Sequence, residues 1–113
     1  MDLDEYQRLA HRTSNFHGPE LGAPRHLTMA ALGLTGEAGE AADLIKKVVF
    51  HGHSLDREKL AKEVGDVLWY VAEMATALEL PLSEIAAGNI AKLRLRYPEG
   101  FSSEASVERK DAR

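Results

Sequence analysis

Cysteine is absent from the 113-residue chain, which excludes a disulfide scaffold, thiolate catalysis and cysteine-ligated zinc. Positive charge is also in short supply: 14 Lys and Arg face 18 Asp and Glu, for a formal net charge of −4. Nonspecific affinity for nucleic acid is built from basic patches, so a duplex-DNA binder is not expected. No uncharged apolar run approaches the roughly 18–20 residues that a bilayer span needs, so no membrane segment is expected either. The acidic opening Met1-Asp2-Leu3-Asp4-Glu5 lacks the positive-then-apolar order of a signal peptide. A cytoplasmic protein is the expectation. No G-x-x-x-x-G-K-[ST] phosphate loop and no nucleophile elbow occur.

What is present is a helical period. Hydrophobic residues make up 44% of the chain, enough for one folded domain and too few residues for two. Alternating strand-like segments do not appear, and the pattern predicts an all-α, antiparallel four-helix bundle. The first helix is expected from Asp2 to about Thr13, and the second from Pro24 to about Phe50. The third should run from about Asp56 to Glu79; the fourth starts with Ser83 as its cap and closes at Tyr97-Pro98. Residues 1–101 form the expected domain. The polar stretch 102–113 has little to bury, so it reads as a flexible tail that could also close over a site.

Acidic residues are common enough that spacing alone decides little; their place beside each helix's apolar stripe decides more. On the third helix Val64, Val67, Leu68, Val71, Ala75 and Leu78 form the stripe. Glu63 falls about 80° from its centre, and Asp66 lies about 60° further toward solvent. On the second helix the stripe is Leu27, Ala31, Leu34, Ala41, Ile45 and Val48. Glu37 lies about 60° from its centre, with Glu40 just beyond. Both pairs therefore border the buried face of helices that a short loop makes antiparallel neighbours. Carboxylates gathered there repel one another and lose hydration, and a hard divalent cation such as Mg²⁺ resolves that conflict.

The fourth helix carries the opposite chemistry. Asn89 falls inside its apolar stripe, as a buried amide in need of partners, and Lys92 and Arg96 follow on the same edge. An amide and two cations suit phosphate or nucleoside recognition, or else a polar cluster at a helix end. Gly33, Gly36 and Gly39 recur inside the second helix, where each costs about 1 kcal/mol relative to Ala. Close helix approach or room for a ligand would offset that cost. Trp69, opposite the main stripe, reads as an anchor for a partner chain ahead of a base-stacking ring. Phe16 and His17 read as loop packing, His51 and His53 as an exposed loop, and Glu73 as a solvated acid.

The string Gly33-Leu34-Thr35-Gly36-Glu37-Ala38-Gly39-Glu40-Ala41-Ala42-Asp43-Leu44-Ile45-Lys46-Lys47, followed by Glu63-Val64-Gly65-Asp66-Val67-Leu68-Trp69-Tyr70, resembles the MazG-like nucleoside triphosphate pyrophosphohydrolases. These belong to the all-α NTP pyrophosphatase group. Asn89-Ile90-Ala91-Lys92-Leu93 and Arg96-Tyr97-Pro98-Glu99-Gly100-Phe101 are similar to the same family. The signature E-E-x-x-E, a gap, then E-x-x-D is met except that Gly36 stands in the place of the first Glu.

The resemblance implies hydrolysis of a nucleoside triphosphate to the monophosphate and pyrophosphate, with Mg²⁺ (or Mn²⁺ as a substitute) held by Glu37, Glu40, Glu63 and Asp66. One of these carboxylates, unassigned, would orient or deprotonate the attacking water. Asn89, Lys92 and Arg96 would contact the nucleotide, with Lys47 a further phosphate contact. A homodimer or dimer of dimers is implied, with nucleotide-pool cleaning as the role. Three other readings remain: a phosphoribosyl-ATP pyrophosphohydrolase, a carboxylate-bridged di-iron bundle, and a helical interaction module without chemistry. The di-iron class uses Glu-x-x-His, whereas Glu40 and Asp66 occupy the third position after Glu37 and Glu63.

Overall fold

The computed structural model describes residues 1–112, and among them the secondary structure is helical with no strand. Helix α1 (Leu3–His11) begins at Asp2, whose carboxylate accepts the Glu5 N–H at 2.8 Å. Helix α2 (Pro24–His51) opens on proline, whose missing N–H is not needed in a first turn. It ends at Gly52, whose φ of 73° provides the left-handed residue that stops a helix. Helix α3 (Arg57–Ala77) is capped by Asp56, which accepts the Lys59 N–H at 3.0 Å. Helix α4 spans Leu82–Arg96 and a short α5 spans Ser103–Glu108.

Tertiary contacts set the start of α4, where a Ser83 cap was expected. Ser83 lies inside the helix, and α1 supplies the caps. Gln7 Oε1 accepts the Leu82 N–H at 2.7 Å, and Asp4 accepts from the Ser83 N–H and hydroxyl at 2.9 and 2.6 Å. These bonds satisfy first-turn donors that a helix cannot satisfy itself.

Pairs between α2 and α3 run 26 with 73, 33 with 70 and 37 with 66, so residue numbers fall along one helix as they rise along the other. The two helices are antiparallel. Helix α1 and the turn that follows it pair 7 with 76, 11 with 73 and 13 with 69, so α1 is antiparallel to α3 as well. Helix α3 is therefore flanked by α1 and α2 on its Trp69–Glu73 side. The predicted stripe of α3 divides: Ala75 is buried and Val67 and Val71 are half-buried, whereas Val64 is 56% exposed and Leu68 and Leu78 are exposed too. The apolar core within one chain is small, built on Ala72, Ala75 and Leu82 with Tyr6 and Val71 against them.

The largest fully buried side chains are polar, His26 and Glu73. This corrects the solvated reading of Glu73, which failed because α1 covers a flank that the period of α3 alone assigns to water. Trp69 also differs from expectation. Its indole N–H donates to Ala10 O at 3.1 Å and Thr13 Oγ1 at 2.8 Å, so it anchors α1 of its own chain. Asn89, expected inside a stripe, is exposed: α1 packs on the first turn of α4, where Leu82 is buried, and that cover does not reach Asn89 two turns on along the same face.

The three glycines of α2 divide. A Cβ at Gly33 would overlap the Tyr70 ring, so close approach explains that glycine, whereas Gly36 and Gly39 face open space. Within the segment expected to be a flexible tail, Ser103–Glu108 forms α5 and a short 3-10 turn, Lys110–Ala112, docks on the end of α4.

Candidate functional site

Helix α2 presents Glu37 and helix α3 presents Glu63 and Asp66, one turn apart. One oxygen from each of the three lies within 4.8 Å of the others. Glu37 and Glu63 are half-buried and Asp66 is exposed. Three acids converge here because the α2–α3 pairing places residue 37 opposite 63 and 66. Glu40, one turn further along α2, is exposed and does not join this group, although its charge acts on Glu37.

The site is electrostatically uncomfortable. Burial pushes the Glu37 carboxyl above its ordinary value, and Glu40, Glu63 and Asp66 add to the rise. Glu37 Oε2 and Glu63 Oε2 are buried without any hydrogen-bond partner. Buried carboxylate oxygens are costly to leave unpaired, and they face other acids instead of donors. A hard divalent cation fits this donor set, since oxygen ligands at half-exposed positions leave room for water and phosphate. The residues present therefore suit Mg²⁺ or Mn²⁺.

Beside the carboxylates lies a cavity of about 310 Å³ lined by Glu37, Asp66, Trp69 and Tyr70. Trp69 and Tyr70 meet edge to face at 4.9 Å between ring centroids. For Trp69 a base-stacking role was the second sequence reading; the part of Tyr70 in this wall was not anticipated, and the adjacency of Trp69-Tyr70 to the Glu63-x-x-Asp66 motif was the available signal. A helix places residues three and four positions on along the same side, so Trp69 and Tyr70 stand one turn above Asp66.

None of the predicted substrate contacts lines this cavity. Asn89 and Lys92 are exposed on α4. Lys47 is held by Asp43, Nζ to Oδ2 at 2.9 Å, and Lys46 bonds the same carboxylate at 3.0 Å. The bonds from Lys47 and Lys46 hold the Asp43 carboxyl down at about 2. Arg96 is held by Asp111 of the C-terminal turn through two hydrogen bonds of 2.6 and 2.7 Å.

The His51 and His53 rings stand 6.4 Å apart at the α2–α3 turn, both exposed. Phe16 stacks on His26 at 4.8 Å and 3°, which is loop packing. No helix among the described residues is long and apolar enough to cross a membrane.

With this geometry in place, comparison with known proteins gives a specific match. The sequence pattern of the MazG nucleotide pyrophosphohydrolase domain matches residues 25–101, which include the three converging acids and the α4 cations. Among curated proteins, the chain is similar to the Gene 37 protein of Mycobacterium phage L5. The two are 35% identical over 105 residues, covering 88% of this chain and 92% of that protein. No solved structure matches the chain.

Proposed function

The chain belongs to the MazG nucleotide pyrophosphohydrolase family, and from that premise we propose that it hydrolyses a nucleoside triphosphate to the monophosphate and pyrophosphate in a Mg²⁺-dependent reaction. The observation that carries the metal reading is the pair of unpartnered buried oxygens on Glu37 and Glu63, facing each other's acids beside Asp66. Glu37, Glu63 and Asp66 hold the ion, with Glu40 joining them by a rotation of its exposed side chain. When bound, the ion supplies charge neutralisation on the triphosphate and acidifies water; Mn²⁺ substitutes for it.

The chain's own groups do the rest. A carboxylate oxygen left free of the metal orients or deprotonates the attacking water. Asn89, Lys92 and Arg96 contact the nucleotide, the cations on phosphate oxygens, with Lys47 as a further contact. Since none of these α4 groups lines the cavity beside the acids, the complete site takes α4 groups from a second copy.

A homodimer or dimer of dimers is thus part of the reading, and the surface supports it. One chain exposes 8077 Å², against about 6,100 Å² for a compact monomer of its mass. Its radius of gyration is 17.1 Å, where a compact chain of this length has about 13 Å. The excess area is of the order each chain contributes to an obligate dimer. Leu32, Val49, Phe50, Val64, Leu68 and Ile90 supply exposed apolar surface for it. The role is nucleotide-pool cleaning in the cytoplasm, with residues 1–101 as the working domain. Nucleic acid is not a partner, in keeping with the net charge of −4.

The test is pyrophosphate release from a panel of ribo- and deoxynucleoside triphosphates, with equimolar monophosphate as the second product. Release of inorganic phosphate and diphosphate instead would contradict the reaction class.

A further inference from the structure

Glu73 is 1% exposed and carries a charge, yet it touches neither the converging carboxylates nor their cavity. Its oxygens serve two helices at once. His26, at the start of α2, accepts the Gly22 N–H on Nδ1 at 2.9 Å. That leaves Nε2 to carry the proton, and it donates to Glu73 Oε1 at 2.8 Å. From the last turn of α1, His11 Nδ1 lies 3.2 Å from both Glu73 oxygens. Burial pushes the Glu73 carboxyl up, but hydrogen bonds from Ser14, His26 and His11 outweigh it and hold the group below its ordinary value.

A buried charged network of this kind is seldom the most stable filling; apolar side chains of the same shape often do as well or better. What it fixes is geometry. Trp69 stands one turn before Glu73 on the same side of α3, and its indole N–H is bonded to Ala10 O and Thr13 Oγ1, on either side of His11. Two adjacent turns of α3 therefore grip the same short stretch, Ala10, His11 and Thr13, at the end of α1. Trp69 also lines the cavity together with Glu37, Asp66 and Tyr70.

We propose that Glu73, through His11 and His26, is a positioning residue that fixes the Trp69 indole as a wall of the substrate cavity. The proposal rests on the reading of that cavity as the nucleotide site. A wall contacts substrate alike in the ground state and the transition state, so loosening it raises KM and spares kcat. The metal-holding acids stand on other turns and are not disturbed.

The test uses the full chain with Glu73→Gln, which keeps the shape and removes the charge, and Thr13→Val, which removes an indole acceptor without touching a buried charge. Trp69 is the single tryptophan, so its fluorescence reports the wall directly. The expected result for Glu73→Gln is a KM raised about tenfold with kcat within about twofold, as loss of bonds to a charged group implies. Collisional quenching of Trp69 by acrylamide should rise in both variants, with Mn²⁺ affinity unchanged. Thr13→Val should show the same pattern more weakly and stands alone if Glu73→Gln fails to fold. Variants that melt earlier but keep wild-type KM and quenching would reduce the network to a structural role and overturn the proposal. A wild-type chain that hydrolyses no nucleotide would overturn the cavity reading itself, and this inference with it.

Discussion

Arg96 grips Asp111 through two hydrogen bonds, Nε to Oδ1 at 2.6 Å and Nη2 to Oδ2 at 2.7 Å, with the Asp111 side chain only 2% exposed. The guanidinium holds that carboxyl far below its ordinary value, with Arg109 contributing from 3.5 Å. This pair ties the C-terminal turn to the end of α4. It also engages the very cation proposed to read phosphate.

Removing the carboxylate should release the tail. Asp111→Ala is expected to speed limited proteolysis after residue 101 severalfold while circular dichroism of the main helices stays unchanged. Because a depressed carboxyl lends stability that is lost as pH falls through its folded value, the wild-type tail should stay protected at pH 4 and above. Equal cleavage of variant and wild type at neutral pH would show that the turn is held by other contacts.

Gly33 and Gly39 should respond oppositely to alanine. At Gly33 a Cβ would strike the Tyr70 ring, and overpacking of this kind costs about 1–3 kcal/mol. At Gly39 nothing lies within 4 Å in the chain, so Gly39→Ala should gain about 1 kcal/mol of helix propensity. Urea titrations of both variants check this. Loss of stability at Gly39 would place a second chain against that face.

The carboxylates make a prediction with a sign. Glu37 is raised above its ordinary value of 4.5 by burial first and neighbouring acids second. Its protonated form is the one the fold favours, so its contribution is fully present below pH 4.5 and is lost as pH rises through the folded value. The metal-free chain should therefore lose stability over that rise, and Mg²⁺ should restore it. The melting-temperature gain from Mg²⁺ should be negligible at pH 4 and large at pH 8. Glu37→Gln should abolish most of this gain and melt no earlier than wild type without metal. A gain that is the same at both pH values would mean the ion binds elsewhere.

How much of this was legible beforehand follows from where the physics is local. Asp56, Gly52 and Pro24 act within one turn of chain, so the ends of α2 and α3 were readable to within a few residues. Glu37, Glu63 and Asp66 were readable as a group because phase about a helix axis and a short loop suffice to bring them together. Glu73 and Trp69 were not, because the helix covering them is α1, about 60 residues away in sequence. The cap of α4 failed for the same reason: Asp4 and Gln7 perform a task that Ser83 would have performed locally. Asn89, Val64, Leu68 and Leu78 are apolar-face positions that this chain leaves exposed, and a period in the sequence does not say how far along a face the packing reaches.

Association should be measurable directly. Sedimentation is expected to give a dimer or tetramer mass, with a melting temperature that rises with protein concentration. Phe50→Glu or Leu32→Glu, on exposed apolar positions, should shift the mass toward monomer. A wild-type chain that sediments as a monomer at all concentrations would remove the second copy from the site.

If acids on α2 and α3 support metal-dependent release of pyrophosphate, side-by-side turnover of wild type and Glu63→Gln shows it. With Mg²⁺, the wild type should release pyrophosphate from at least one nucleoside triphosphate, and chelator should stop it. Glu63→Gln should fold and lose about 100-fold or more in kcat/KM, since the displaced oxygen is one that holds the ion. Undiminished turnover in Glu63→Gln, or turnover that persists in chelator, would mean that these acids do not hold a catalytic ion.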